Sequence, residues 1–96
     1  MPAYVIGDVR DVWDAEAIAE YRRRNTDAVA HHGGRFLIRG GEATLLDGEW
    51  DTRRIVVIEF PDAAAARAWW DSEDYAPLKE LRRRASDTDI VLVEGA

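Results

Sequence analysis

The sequence has no cysteine and a single lysine, Lys79, among its 96 residues. The absence of cysteine excludes disulfides, thiolate nucleophiles and cysteine-ligated metal sites. No apolar run approaches the roughly 18 residues of a membrane span, so we expect no membrane partner. The first residues enter an apolar stretch without a basic leader, which favours a cytoplasmic location.

The charge of the chain is acidic overall but unevenly distributed. The formal net charge is −6, which argues against a nucleic-acid partner because phosphate binding usually needs a basic face. All but one of the 13 basic residues are arginines, and two arginine runs occupy positions 22–24 and 82–84. Each run forms a solvated helix face rich in ion pairs or, if the two meet in the fold, part of an anion-binding patch.

The length fits one domain covering residues 1–96. Strands are predicted at 4–9, 35–39, 54–60 and 88–93, with a short extra strand at 43–46. Gly40 and Gly41 end the second of these strands, and Asp47-Gly48 forms a turn after the short one.

Helical segments are predicted from a cap at Asp14 to about His32, from a cap at Asp62 to residue 70, and onward from Ser72 or Asp74. Gly33 and Gly34 stop the first helix, since glycine readily takes the left-handed conformation that ends helices. Leu78, Leu81 and Ala85 form the apolar side of the last segment. The order β-α-β-β-α-β is typical of an α+β ferredoxin-like fold.

Both faces of the predicted sheet are apolar. Ile55 and Val57 face one side of the sheet. Val56 and Ile58 face the other. Because the helices cover one face only, we expect a second copy of the chain to cover the open face, giving a homodimer built as a dimeric α-β barrel. The alternative is a monomer whose long loop, 40–50, folds over the open face.

Several motifs are similar to those of the family known as domain of unknown function 1330. Residues 33–41, GGRFLIRGG, resemble its GGR-x-L-x-RGG signature, and further blocks follow in order: LDGEW at 46–50, VIEFP at 57–61, ARAWWDSEDY at 66–75 and VLVEG at 91–95. Arg83 or Arg84 matches the arginine that usually follows, whereas Trp70 stands where tyrosine is usual. The resemblance implies a dimeric α-β barrel. Relatives with that architecture include cofactor-free monooxygenases, isomerases and haem enzymes, so the fold alone does not decide the function.

Two residues are candidates for catalysis. His32 lies on the apolar face of the first helix and is either a satisfied core residue or a pocket acid or base. Arg39 either pairs with a carboxylate such as Glu42 or Glu59, or binds a carboxylate or enolate at a pocket mouth. His31 and His32 cannot face one metal ion, since pairing on a helix needs a spacing of three or four residues. We therefore expect no metal site.

Four further residues are candidates for ligand binding. Tyr21 and Asn25 lie on the same helix face as His32, and a buried asparagine on an apolar stripe needs a polar partner. Trp70 and Tyr75 are placed to roof a gap between the helices and the sheet, while Trp69 is interpreted as core. No phosphate loop or dinucleotide motif is present, and we expect no cofactor.

The sequence is compatible with two alternative functions. The first is a small-molecule binding protein or cofactor-free enzyme, with reactions such as isomerisation or oxygen addition, whose pocket lies between helices and sheet. The second is a non-catalytic dimerisation or interaction module that acts through its surface arginines. A cavity with convergent polar groups favours the first, and a filled core favours the second.

Overall fold

Four segments with alternating apolar residues form one antiparallel sheet in the computed structural model, which describes residues 1–96. The strands are β1 (Ala3–Val12), β2 (Arg35–Glu42), β3 (Arg54–Phe60) and β4 (Ser86–Glu94). They lie in the order β2-β3-β1-β4, and every neighbouring pair is antiparallel. The first and third strands of the chain therefore form the centre of the sheet.

Three helices accompany the sheet: α1 (Ala15–His31), α2 (Ala63–Trp70) and α3 (Ala76–Ala85). The predicted caps are confirmed, because Asp14 accepts a hydrogen bond from the backbone of Ala17 at 3.1 Å and Asp62 from that of Ala65 at 2.8 Å. Pro77 lies in the first turn of α3, where its missing N–H removes no helical bond. No helix is long and apolar enough to cross a membrane. The element order confirms the predicted α+β ferredoxin-like class.

The glycine pair ends α1 as predicted. Gly33 has a φ of 76°, and the N–H of Gly34 donates to the carbonyl of Val29 at 3.0 Å. A Cβ on Gly34 would lie 2.7 Å from Phe60 and 2.8 Å from Val29. The end of α1 therefore meets β3 at a distance that only glycine permits.

The core lies between the helices and one face of the sheet. Ile58 and Phe60 of β3 are buried there together with Val5 of β1, which confirms the predicted alternation. Trp69 and Leu78, from α2 and α3, are each 1% exposed in the same cluster. Trp69 is thus a core residue, as predicted.

Two strand predictions are wrong. Residues 43–46 form no strand but belong to a loop between β2 and β3. β2 does not end before Gly40; it continues to Glu42, and its register against β3 shifts between Arg39 and Gly41. Gly40 has a φ of 77°, so its backbone forms the irregularity that lets the strand continue.

The second face of the sheet carries apolar side chains without a helical cover. Val91 and Val93 of β4 are 53% and 43% exposed on this face, which we call the open face. The loop after β2 reaches one end of it, where Trp50 and Thr52 donate hydrogen bonds to Asp8 at 3.1 and 3.0 Å. The loop therefore covers part of the open face but leaves the β4 side uncovered.

Candidate functional site

A cavity of about 60 Å³ lies between α1 and the helix-covered face of the sheet. We call it the α1 cavity. Its apolar wall includes Val5, Ile18, Val56, Ile58 and Ile90. Its polar lining consists of Tyr21, Arg22, Asn25, Arg39, Arg82 and Thr88. No aspartate or glutamate lines it, so every ionised group at this cavity is a cation.

A chain of hydrogen bonds runs beside the α1 cavity and joins the three helices. Trp69 Nε1 donates to Asn25 Oδ1 at 3.1 Å, and Asn25 Nδ2 donates to the hydroxyl of Tyr21 at 3.5 Å. The hydroxyls of Tyr21 and Tyr75 lie 2.9 Å apart, and Arg82 Nε donates to that of Tyr75 at 3.4 Å. This chain gives the buried Asn25 the polar partners that its position on an apolar stripe requires.

Tyr21 is held in its neutral form at the centre of this chain. Burial raises the pKa of Tyr21 well above its usual value, and the neighbouring Tyr75 hydroxyl raises it further. The positive charge of Arg82 lowers that pKa by a smaller amount. Tyr21 is therefore a hydrogen-bonding phenol at neutral pH and not a base.

Arg82 is the arginine of the second run that enters the protein. It is 6% exposed, and it lies on the buried side of α3 with Leu78 and Ala85. Arg83 and Arg84, either of which resembles the arginine of the family motif, are exposed. The helix phase decides this: Arg82 follows Leu78 by four residues and precedes Ala85 by three, which places all three on one side.

The first arginine run meets the second at the α1 cavity. Arg22 lines the cavity together with Arg82, and Arg24 pairs instead with Glu20 on the surface of α1 at 3.2 Å. The two runs therefore meet through one arginine each at the cavity, while Arg24 and Arg83 remain on the surface. Anion binding by these arginines stays a prediction.

Arg39 lies at the cavity without a carboxylate partner. Its Nη2 donates to the backbone carbonyl of Arg22, and its guanidinium carbon lies 3.9 Å above the ring of Phe36. Of its two expected partners, Glu59 pairs with Arg35 at 2.8 Å and Glu42 forms no ion pair. Partial burial and the charge of Arg22 lower the pKa of Arg39. The expected structural ion pair is thus absent.

The two histidines lie away from the α1 cavity. His32 caps the C-terminal end of α1, and its Nε2 is buried without a hydrogen-bond partner, but the residue does not line the cavity. His31 is exposed, as expected, and its Nδ1 lies 3.0 Å from a carboxylate oxygen of Asp74. The structure therefore does not bring His32 together with Arg39, its partner in the predicted catalytic pair.

The two remaining candidates stand behind or beside the cavity. Tyr75 is fully buried and does not line the cavity, but it contacts three residues that do: its hydroxyl bonds to Tyr21 and Arg82, and its ring centroid lies 4.2 Å from that of Trp69. Trp70 lines a separate groove of about 400 Å³ beside β4, and Lys79 Nζ lies 4.0 Å above its ring. Of the predicted site residues, Tyr21, Asn25 and Arg39 are together at the cavity.

Three aspartates are grouped around one arginine away from the cavity lining. Asp8, Asp87 and Asp89 all pair with Arg10, at 3.4, 2.8 and 2.7 Å. Arg10 lowers the pKa values of Asp87 and Asp89 and so keeps both carboxyls ionised. No group of three or more histidine, aspartate or glutamate side chains is arranged to hold a metal ion.

Sequence reasoning missed Arg82, the most deeply buried of the charged side chains at the cavity. A signal for it exists in α3, where the spacing from Tyr75 through Leu78 to Arg82 and Ala85 follows a helical period. An arginine at a position where the helical period expects an apolar residue indicates either that the helix phase was misassigned or that a functional charge is buried there.

A family model described as a domain of unknown function (DUF1330) matches residues 2–96 of the chain. No curated protein matches the chain. The solved structures that it resembles include a protein of unknown function from Rhodopseudomonas palustris, with a TM-score of 0.75, 21% identity, and coverage of 99% of this chain and 82% of that one.

Two further solved structures share the fold. A dimeric ferredoxin-like protein of unknown function from Jannaschia sp. CCS1 has a TM-score of 0.77 and 13% identity, with 99% of this chain and 100% of that one covered. A cofactor-independent oxygenase from Streptomyces nogalater has a TM-score of 0.62 and 16% identity, with 99% and 91% covered. At these identities the likeness shows the fold alone.

Proposed function

Because this chain belongs to the DUF1330 family, a domain family of unknown function, we propose a function from its own geometry: it binds a small organic molecule in the α1 cavity. The observation that carries the proposal is the cavity itself, which has an apolar wall and convergent polar groups from α1, α3 and β2. Such a combination is typical of ligand sites, where apolar surface supplies affinity and a few polar groups supply orientation.

The polar groups have distinct parts in this proposal. Tyr21 and Asn25 are hydrogen-bonding groups fixed by the chain that runs from Trp69 to Arg82. Arg39 supplies a positive charge from β2, opposite α1. Because fixed donors stabilise charge that develops on oxygen, this set suits a small substrate that reacts through an enolate-like anion. A cofactor-free isomerisation or oxygen addition is the reaction class that fits.

A cofactor-independent oxygenase among the structural neighbours supports that reaction class at the level of the fold. His32, our sequence-based candidate for the acid or base, has no part in it, since it lies outside the cavity. Tyr21 is neutral at working pH and donates or accepts hydrogen bonds without losing its proton. The substrate itself would therefore have to carry the acidic group.

The proposed assembly is a homodimer in which the open faces of two copies meet. Val91, Val93 and Ile38 expose 53%, 43% and 45% of their surface on that side of the sheet, and an apolar surface of this kind is normally covered. The neighbour from Jannaschia is described as dimeric. The α1 cavity lies on the opposite face of the sheet, so each copy would hold its own ligand. A cytoplasmic location remains a prediction from the sequence.

The binding proposal is tested by native mass spectrometry of the protein purified from its own host. We expect a co-purified small molecule on the wild type and a reduced amount on Gly7→Ala. Gly7 lines the α1 cavity, and a Cβ there would be 3.7 Å from Val56, an ordinary contact that fills space without strain.

Gly41→Ala is the matched control, because Gly41 is also a strand glycine but lies outside the cavity, and its Cβ would be 3.4 Å from Ile38. This variant should retain the bound molecule. An empty wild-type protein that also shows no melting shift with a panel of metabolites would contradict the proposal.

The second candidate function is a non-catalytic interaction module. It is favoured by one observation: Asn25, Tyr21 and Tyr75 satisfy one another without a ligand. In that case the exposed arginines, Arg83 and Arg84 among them, would form the contact surface for a partner. The empty outcome of the experiment above selects this candidate.

A further inference from the structure

We infer that the ligand of the α1 cavity is a small carboxylate, and that Arg82 is the buried cation that binds it. This inference rests on the proposed ligand-binding function and goes further by naming the chemical class of the ligand. Arg82 is 6% exposed and lines the cavity. It is the one residue of the second arginine run that the fold encloses.

Arg82 has few partners for a buried charge. Its Nε donates to the hydroxyl of Tyr75 at 3.4 Å, a long bond to a neutral group. None of the ion pairs of the protein involves it. Its guanidinium also lies close enough to the Tyr21 hydroxyl to lower the pKa of that phenol, which is a second neutral partner. No carboxylate bonds to Arg82, and the residue lines the cavity, where a ligand can reach it.

The charge of Arg82 cannot be removed by loss of a proton, because a guanidinium stays protonated in proteins. A buried cation without an anion is strongly unfavourable. Two further arginines, Arg22 and Arg39, line the same cavity, and no acidic side chain does. Partial burial lowers the pKa of Arg39, and the neighbouring charge of Arg22 lowers it further. The site as a whole is built to receive negative charge.

The shape of the site favours a carboxylate over an inorganic anion. A guanidinium presents paired N–H donors in one plane, which match the two oxygens of a carboxylate. The apolar wall includes Val5, Val56 and Ile90. It can make favourable apolar contacts with a short carbon chain, whereas an inorganic ion has no apolar surface to bury there.

The volume of the cavity limits the size of the ligand. The cavity measures about 60 Å³, and one water molecule needs roughly 10–15 Å³ on this scale, so the space holds about four to six water-sized groups. Acetate and propionate have this size. They are therefore the probes of choice, with acetamide and propionamide as neutral molecules of nearly the same shape.

The test is a heteronuclear NMR titration of the full-length protein with these four compounds. We expect acetate and propionate to shift the side-chain resonances of Arg82 Nε and Trp69 Nε1. We also expect them to bind at least about tenfold more tightly than the amides, since bonds between two ionised groups are roughly twice as strong as neutral ones. Sodium chloride at matched ionic strength controls for non-specific charge effects.

Two variants locate the effect. Arg82→Met should lose the preference for carboxylates, so that their affinity falls to that of the amides, whereas Arg83→Met should behave as the wild type because Arg83 is exposed. Arg82→Lys keeps the charge but not the planar fork, and we expect it to retain part of the preference. If Arg82→Met does not fold, Arg82→Lys and the wild-type comparison still decide the question.

Three results would overturn the inference. Equal binding of carboxylates and amides would remove the role of charge while leaving small-molecule binding in place. An undiminished preference in Arg82→Met would assign the charge to another residue. Failure of all four compounds to shift the cavity resonances would reject a small carboxylate, and the co-purification experiment would then judge the proposed function separately.

Discussion

At the scale of single residues, the pair of tyrosines at the helix interface forms the centre of the hydrogen-bonded chain beside the α1 cavity. The hydroxyls of Tyr21 and Tyr75 are 2.9 Å apart and their rings meet edge to face at a centroid distance of 6.2 Å. Arg82 bonds to one of them from α3 and Asn25 to the other from α1. The pair thus links Arg82 of α3 to Asn25 of α1 through hydrogen bonds.

Tyr21 makes the stability of the protein sensitive to alkaline pH. Its pKa is raised in the folded state, so at high pH the unfolded chain loses the phenol proton while the folded protein still keeps it. The free energy of unfolding is then at its full value below the ordinary phenol pKa and declines as the pH rises above it. We expect Tyr21→Phe to show a smaller decline, measured by urea unfolding at neutral and alkaline pH.

Tyr4→Phe is the control for this prediction. The Glu59 carboxylate beside its hydroxyl raises the pKa of Tyr4 as well, but Tyr4 lies at the open face and is only partly buried. Substitution of Tyr4 should therefore reduce the alkaline decline in the free energy of unfolding by less than Tyr21→Phe does. An identical decline in the wild type and Tyr21→Phe would show that the phenol of Tyr21 titrates as it does in the unfolded chain.

At the scale of elements, α1 supplies three of the six polar residues that line the cavity, and its position depends on its C-terminal end. Tyr21, Arg22 and Asn25 occupy neighbouring turns of this helix and line the cavity together. Gly34 sets how closely the helix end approaches β3. A change at Gly34 therefore alters the height of the whole site above the sheet.

Gly34→Ala should destabilise the protein by about 1–3 kcal/mol, because its Cβ would overlap Phe60 and Val29 in a packed core. Gly41→Ala, whose Cβ makes an ordinary contact with Ile38, should cost less than about 1 kcal/mol. Urea unfolding at one fixed protein concentration measures both, since association would otherwise change the midpoint. Equal losses of unfolding free energy in the two variants would contradict the close approach of the α1 end to β3 at Gly34.

At the scale of the whole molecule, the open face decides the assembly. It is apolar along β4 and β3, and the loop after β2 reaches only its Asp8 end through Trp50 and Thr52. A stable interface buries about 800 Å² on each partner, and a sheet of four strands offers an area of this order. Two copies related by a two-fold axis would bury the same face on each other.

Val91→Glu should convert the proposed dimer to a monomer, because Val91 is 53% exposed on the open face and a buried carboxylate without a partner is strongly unfavourable. Sedimentation or light scattering at micromolar concentration measures the change. Ala64→Glu, an exposed site on α2, is the control and should stay dimeric. A wild-type protein that is already monomeric under these conditions would reject the homodimer.

The sequence by itself determined the elements and the two apolar faces of the sheet. Caps at Asp14 and Asp62, the stop at Gly33 and the alternation along β3 are local signals that depend on residues a few positions apart. They were sufficient for the ferredoxin-like order and for placing Tyr21 and Asn25 on one helix face. Residue-by-residue reading was wrong at 43–46, where an apolar stretch forms a loop because no neighbouring strand pairs with it.

Only the tertiary structure decided which side chains share the site. Arg82 and Arg22 are 60 positions apart along the chain, and the packing of α1 against α3 brings them to one cavity. His32 shares a helix with Tyr21 but lies at the helix end, beyond the cavity. The physical reason is that a local pattern fixes the direction in which a side chain points from its own element, while the partners it meets depend on contacts between elements that are distant in sequence.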